Sequence, residues 1–364
     1  MPIKEKSFRI GCGRYLQEKG LLSSCGDELL RYGHSPLIVG GPTALSLTRE
    51  KLESSLTAKN MRYRIFTHSG SCNEEDAQKL SDLARAEGYD VIVGVGGGVI
   101  MDFSKLIGYF AEMPVVNIPT SSATCAAYTP LSVRYTPEGK TVGSRHYEYE
   151  VDSVIADTEI ISAQPPRLLL SGVFDALAKF VEIKHRFSGE QMEECPLGLD
   201  YAYVLSTHSY AVLCEKTEKC LEDMKNQRVT DTAEQVIFTS IAATGVISGI
   251  ARGSNQTALA LKFYETVRVL HYSESRPYLH GEIVGIGLLL QNFFNGEESE
   301  NKVLTDLMDK YGMPKRLSDI GISPTKETME AYYDVLKKTA AVAEGGPDAP
   351  KKLRAALEYL WSID

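Results

Sequence analysis

The chain has 364 residues, 43% hydrophobic and 24% charged, enough to bury a large core and to divide into two domains. Its formal net charge of −9 gives no basic footprint for nucleic acid or an anionic membrane, which excludes both as expected partners. Seven scattered cysteines form no C-x-x-C pair, the start Met1-Pro2-Ile3-Lys4-Glu5-Lys6 has no apolar core, and no apolar run reaches about eighteen residues. A soluble cytoplasmic protein with reduced thiols is expected.

In chain order, Leu37–Val39, Tyr63–Phe66, Val91–Val95 and Val115–Ile118 read as strands, and Leu45–Leu56, Asn73–Glu87 and Asp102–Phe110 as helices. This βαβα order predicts a mostly parallel sheet covered on both faces. Asn73 followed by Glu74, Glu75 and Asp76 is a helix start with an N-cap and an acidic first turn. Thr136-Pro137-Glu138-Gly139-Lys140 is a turn between short strands. After Pro165-Pro166 the pattern becomes helical: Leu168–Phe187, Leu199–Thr217, Thr232–Ile250, Ala258–Tyr272, Ile283–Phe294 and Lys302–Tyr311 show apolar residues at helical spacing. Ala340–Pro350 reads as a loop before a closing helix. The expected domains are residues 1–162, an α/β nucleotide-binding domain, and residues 163–364, an all-helical domain. A ligand site in the cleft between them is expected.

The most informative stretch runs from Val91 to Lys105, a β run, then Gly96-Gly97-Gly98, then a helix opening that carries Asp102 and Lys105. Glycines let a backbone approach a phosphate, and a helix N-terminus turns its N–H groups and dipole toward the charge. The expected guest is a pyrophosphate. The spacing matches neither G-x-G-x-x-G nor G-x-x-x-x-G-K-[ST], and a triple glycine after a strand also serves as a tight turn without a ligand. A second strand, Pro114 to Thr120, follows and completes a βαβ unit whose loops lie where open α/β sheets bind ligands.

GVGGGVIMDFSK followed by a P-V-V-x-I-P-T strand resembles the iron-containing alcohol dehydrogenase superfamily in its glycerol dehydrogenase-like branch. Further matches are TPLSVRYTPEG, Ile155–Ile161, Ser171–Lys179 and Tyr278-Leu279-His280-Gly281-Glu282, so the resemblance covers nearly the whole chain. ATCAAYTPLSV and FDALAKF are most similar to bacterial hydroxycarboxylate dehydrogenases that reduce 2-oxo acids. The resemblance implies a dehydroquinate synthase-like fold, with a Rossmann-like parallel-sheet domain followed by an all-helical domain. It also implies a homo-oligomer.

The resemblance further implies a divalent ion, zinc or iron, held by an Asp and by histidines of later helices. Asp175 and His280 match the first and last ligands, but the middle histidine is missing from Leu261-Lys262-Phe263-Tyr264-Glu265-Thr266. Catalytic zinc sites normally have three protein ligands. Three readings stay open: a metal-free site in which Lys179, Lys262 or Tyr264 supplies the electrophile, a re-formed site with His271 or Glu265 as third ligand, or Asp175 and His280 as a structural pair. Lys179, one helical turn after Asp175, is either its ion-pair partner or catalytic.

Residue by residue, the resemblance puts Gly97, Gly98, Asp102 and Thr120 against the cofactor, with Thr129, Leu131 and Tyr135 on the opposite wall. Each of the last four reads equally as loop capping or core. Cys125 stands where glycerol dehydrogenases carry a substrate-binding aspartate, and beside Tyr128 this uncharged residue suits an anionic 2-oxo acid better than glycerol. At the end of the second strand, Gly41 lacks the carboxylate that repels the 2′-phosphate of NADP, which favours NADPH while admitting NADH. The expected activity is NAD(P)-dependent hydride transfer to a small carbonyl or 2-oxo acid. The alternatives are a sugar-phosphate cyclase of the same fold and a catalytically silent nucleotide-binding protein.

Overall fold

The structure is a computed structural model that describes residues 10–187, 198–251, 259–343 and 345–363. Six parallel strands form the main sheet, β1 (Arg14–Glu18), β2 (Pro36–Gly40), β3 (Arg64–Thr67), β4 (Val91–Gly96), β5 (Val115–Pro119) and β8 (Ser153–Asp157), in the order β1-β8-β5-β4-β2-β3. β2, β4, β5 and β8 are buried along their whole length, which is why β2, β4 and β5 read as largely apolar runs, while β8, opened by Ser153 and closed by Asp157, does not read as a strand. The antiparallel hairpin β6 (Leu131–Tyr135) and β7 (Thr141–His146) turns through Thr136–Lys140 as expected. Arg134 and Arg145 of this hairpin both pair with Glu74 at the start of the Glu74–Ala86 helix.

Helices Pro42–Ala58, Glu74–Ala86 and Gly98–Ala111 follow β2, β3 and β4. Asn73 caps the second by accepting from the Asp76 N–H at 2.9 Å. Two apolar clusters cover the sheet's faces. One packs Leu52 and Leu56 against Ile38, Val93 and Val116, and the other packs Ala77, Phe103 and Leu106 against Leu37, Val39 and Ile92. Alternate residues of one strand thus point to opposite faces.

The helical second half is largely as expected, with Pro166–Phe187, Leu199–Lys225, Leu259–Leu270, His280–Asn295, Asn301–Tyr311 and Ala349–Ser362. Lys326–Leu336 is an additional helix, and part of the anticipated loop after residue 340 forms the short helix Ala340–Ala343. Asp231–Ala251 is long and apolar enough by composition to cross a membrane, although polar residues keep it from being an unbroken apolar run. Its Ile237, Ile241 and Ala242 pack on Ile100, Met101 and Tyr128, the behaviour of a core helix.

That packing also bears on the domains. One compact unit comprises Met1–Gly172 with Ala211–Gly249, and the other Val173–Tyr210 with Ile250–Asp364. The boundary expected at residue 162 assigns Ala211–Gly249 to the helical half; within it Ile237, Ile241 and Ala242 pack with Val154 and Ala156 of β8. A π-turn at Thr239–Ala243 precedes Gly245, where a Cβ would stand 2.3 Å from Cδ1 of the Tyr128 ring. The close approach requires glycine there.

Candidate active site

In the α/β unit, β4 ends at Gly96, Gly97 is the N-cap in an extended conformation, and the Gly98–Ala111 helix begins one residue later. The helix therefore starts four residues before the sequence reading placed it, since the glycines belong to the strand end, the cap and the first turn. The Thr120 N–H donates to Gly96 O at 2.9 Å and the Gly41 N–H to Val95 O at 3.2 Å, so the ends of β2, β4 and β5 are held side by side. A Cβ on Gly97 would come no closer than 3.6 Å to Ser121 Oγ, and one on Gly41 no closer than 3.7 Å to Ile100 Cγ1. A Cβ on Gly98 would press on Thr124 Oγ1 at 3.2 Å. Gly41, Gly97 and Thr120 thus lie at the carboxyl ends of adjacent parallel strands, with the helix N-terminus among them, an arrangement suited to a diphosphate.

Asp102 and Lys105 lie deeper. Lys105 Nζ donates to Ala126 O at 2.7 Å and Thr129 O at 2.9 Å, bonds Leu131 O, and pairs with Asp102 Oδ1 at 2.9 Å. The other oxygen, Asp102 Oδ2, accepts from the Val133 N–H at 3.0 Å. Burial raises the Asp102 carboxyl pKa while Lys105 opposes the shift. Ser104 donates to Asn117 Oδ1 at 2.7 Å, and Asn117 Nδ2 donates to Ala127 O at 3.0 Å. Together these bonds lash the loop between β5 and β6 to the helix behind the glycines.

The loop residues sort accordingly. Cys125 is half-buried and its carbonyl accepts from the Tyr128 N–H at 2.9 Å. Tyr128 is in the core, its ring over Gly245 and its hydroxyl donating to Ile10 O at 3.3 Å, and burial pushes its pKa up to about 12. Thr129 and Leu131 present their carbonyls to Lys105, while Tyr135 packs beside Phe103 and Leu106 and its N–H donates to Cys72 O at 2.9 Å. Among the described cysteines no disulfide forms; Cys195 lies outside the described residues.

The helical unit holds a second polar cluster. Asp175, Lys179 and Glu182 lie at i, i+4 and i+7 of the Pro166–Phe187 helix, hence on one face, and all three are buried. His280, the first residue of the His280–Asn295 helix, brings Nε2 to 3.2 Å from Asp175 Oδ1. Gly287 lets that helix close on Leu259–Leu270, since a Cβ there would stand 2.7 Å from Ala260 O. Tyr264 consequently meets His280 edge-on, with ring centroids 4.2 Å apart, and the Arg268 guanidinium lies 5.2 Å over the Tyr264 ring. Burial pushes the Asp175 carboxyl up, but the charges of His280 and Lys179 outweigh it and hold the group below its usual range. Glu182 is the reverse case. Burial raises it to about 7 against the pull of Lys179, whose Nζ is 3.8 Å away.

This donor set does not fit a divalent metal. Among the described residues no three of His, Cys, Asp and Glu converge. Neither residue considered as third ligand joins the pair: His271 stacks on Tyr332 with centroids 5.9 Å apart, and Glu265 pairs with Lys262 at 2.6 Å. Lys262 is exposed in that pair. Glu182 and Asn117 were missed by sequence reasoning, which named Lys105 with Asp102 but not its hold on the loop; the signal was polar residues recurring within otherwise apolar helix and strand patterns.

A parallel sheet with a glycine turn into a helix, in a chain whose other half is helical, defines the class of α/β proteins that bind nucleotides at the carboxyl ends of their strands. Residues 12–158 match the pattern of the family described as iron-containing alcohol dehydrogenase. The chain is 31% identical to a glycerol dehydrogenase of Thermotoga maritima, covering 85% of this chain and 84% of that one. It is 30% identical to hydroxycarboxylate dehydrogenase A of Escherichia coli, over 88% and 87% of the two chains. A sulfoacetaldehyde reductase from Bifidobacterium kashiwanohense, solved in complex with NAD+, superposes with a TM-score of 0.74 at 17% identity, covering 98% of this chain and all of that one. The chain belongs to the iron-containing alcohol dehydrogenase family.

Proposed function

We propose that this chain is a nicotinamide-dependent reductase that converts a small carbonyl compound, a 2-oxo acid in preference to glycerol, into its alcohol, and runs the reverse oxidation. Oxidoreduction of a CH–OH group is the activity of the family to which it belongs. The observation that carries the cofactor reading is the glycine turn, where Gly97 leaves an open face beside the exposed N–H groups of a long helix. A sulfoacetaldehyde reductase of the same fold carries NAD+, which supports the assignment. Bound here, the nicotinamide would supply the hydride for the carbonyl carbon.

The roles of this chain's residues follow from their chemistry. Gly97, Gly98 and the helix N-terminus would receive the diphosphate, with Thr120 at the end of the next strand. Gly41 at the end of β2 would face the adenosine ribose and, carrying no charge, accept NADPH as well as NADH. Asp102 would act indirectly, because both of its oxygens are engaged within the protein. Thr129 and Leu131 would shape the loop through their carbonyls on Lys105, and Cys125 would meet substrate as an uncharged side chain. Lys179 and His280 would face the carbonyl oxygen, whose developing negative charge needs a positive or donating group.

Support for a 2-oxo acid comes from the relationship to hydroxycarboxylate dehydrogenase A and from the neutral Cys125. The free thiols of the described cysteines support a reducing, cytoplasmic setting. The test is consumption of NADH and NADPH with glycolaldehyde, pyruvate, 2-oxobutyrate and dihydroxyacetone, with glycerol oxidation run in reverse. Turnover of at least one carbonyl is expected; no turnover of any, by folded protein that binds the cofactor, would leave the silent nucleotide-binding protein as the better account.

A further inference from the structure

The family name implies a metal, yet the helical unit of this chain carries a cation of its own at the corresponding carboxylate. Lys179 is buried on the same helix face as Asp175, one turn earlier, and Glu182, whose nearest oxygen is 3.8 Å from its ammonium. Two buried carboxylates without a compensating charge would be costly, and one ammonium on the same buried helix face offsets much of that cost. A dication brought to Asp175 would meet this ammonium inside a poorly screened interior, as well as the Arg268 guanidinium above Tyr264. Among the described residues it would also find two protein donors rather than three, and these two already face each other at 3.2 Å. The residue that the Leu259–Leu270 helix sets against His280 is Tyr264, which presents a ring edge.

We propose that the cation of this site is the Lys179 ammonium, paired with Glu182 and one helical turn from Asp175, and that it polarises the substrate's oxygen in place of a divalent metal. The inference rests, for its catalytic meaning, on the reductase reading above. Its physical content is a competition between ammonium and metal for one carboxylate, and that can be measured without turnover.

The experiment uses the full chain expressed in medium supplemented with zinc and iron, purified without chelator, and analysed for metal by mass spectrometry. The wild type should retain below about 0.1 metal per chain and bind added zinc weakly. Lys179→Met removes the competing charge and should tighten zinc binding at least about tenfold, an effect lost again when Asp175→Asn is added. Lys179→Arg keeps the charge and should keep zinc out. If Lys179→Met does not fold, Lys179→Gln is read in its place. Close to one metal per wild-type chain, released by His280→Ala, would overturn the proposal, as would unchanged zinc affinity in both neutral variants. Turnover by the metal-free wild type is scored separately, so failure of the reductase reading and failure of the lysine assignment give different results.

Discussion

Lys105 reaches back one helical turn to Asp102, Nζ to Oδ1 at 2.9 Å, with both side chains buried behind the glycine turn. The same ammonium binds the carbonyls of Ala126, Thr129 and Leu131, so one charge fixes the loop that carries the substrate-facing candidates. A buried ion pair of this kind is costly to break because removing one partner leaves the other unpaired. Lys105→Met should therefore destabilise the protein by about 3–5 kcal/mol, measured by chemical denaturation. A loss below about 1 kcal/mol would show that the loop holds its shape without the lysine.

At the phosphate turn, Gly97→Ala and Gly98→Val should behave differently. A Cβ at Gly97 meets only Ser121 Oγ at 3.6 Å, an ordinary contact, so Gly97→Ala should fold like the wild type. It should still weaken NADH and NADPH by about tenfold or more, because the added carbon lies where a pyrophosphate would approach the backbone. A Cβ at Gly98 presses on Thr124 at 3.2 Å, so Gly98→Val should lower both stability and affinity. Titration by nicotinamide fluorescence separates them, and wild-type affinity in folded Gly97→Ala would remove this turn from the site.

Cofactor choice can be probed at Gly41. The nearest atom to a new Cβ is Ile100 Cγ1 at 3.7 Å, so the backbone admits a side chain there. Gly41→Asp should weaken NADPH at least about tenfold more than NADH, since a carboxylate repels the 2′-phosphate but can accept from a ribose hydroxyl. Equal losses for the two cofactors would place Gly41 away from the ribose.

Glu182 should leave a mark on stability against pH. Its carboxyl is raised in the fold from an ordinary value of 4.5 to about 7, mainly by burial. A raised acid contributes stability that is present in full below the unfolded value and lost as pH rises through the folded one. Wild-type stability should therefore decline between roughly pH 4.5 and 7 more steeply than that of Glu182→Gln, which cannot ionise. Asp175 has the opposite sign, its depressed carboxyl contributing stability that is lost only in more acidic solution. Parallel curves for wild type and Glu182→Gln over this window would mean that Glu182 ionises as it does in water.

Much of this protein was legible in its sequence because the signals were local. Unbroken apolar runs gave β2, β4 and β5, Asn73 marked a helix start, and three glycines between a strand and a helix marked the turn suited to a phosphate. The family was readable for the same reason, since its motifs are short contiguous stretches. Edge strand β1, Arg14–Glu18, escaped because an edge strand with exposed polar residues lacks the apolar run of a central one.

What only the tertiary structure decided depends on distances between segments far apart in the chain. Composition makes Asp231–Ala251 resemble a membrane span, yet packing of its Ile237, Ile241 and Ala242 on Ile100 and Tyr128 puts it in a core with β8. Sequence alone could not choose among Lys179, Lys262 and Tyr264, three residues of plausible chemistry. Folding leaves Lys262 exposed with Glu265, sets Tyr264 edge-on to His280 through the close approach at Gly287, and buries Lys179 beside Glu182. Periodicity tells which face of a helix a residue occupies; which charges share that buried space is set by helices that meet across more than a hundred residues, as Asp175 and His280 do.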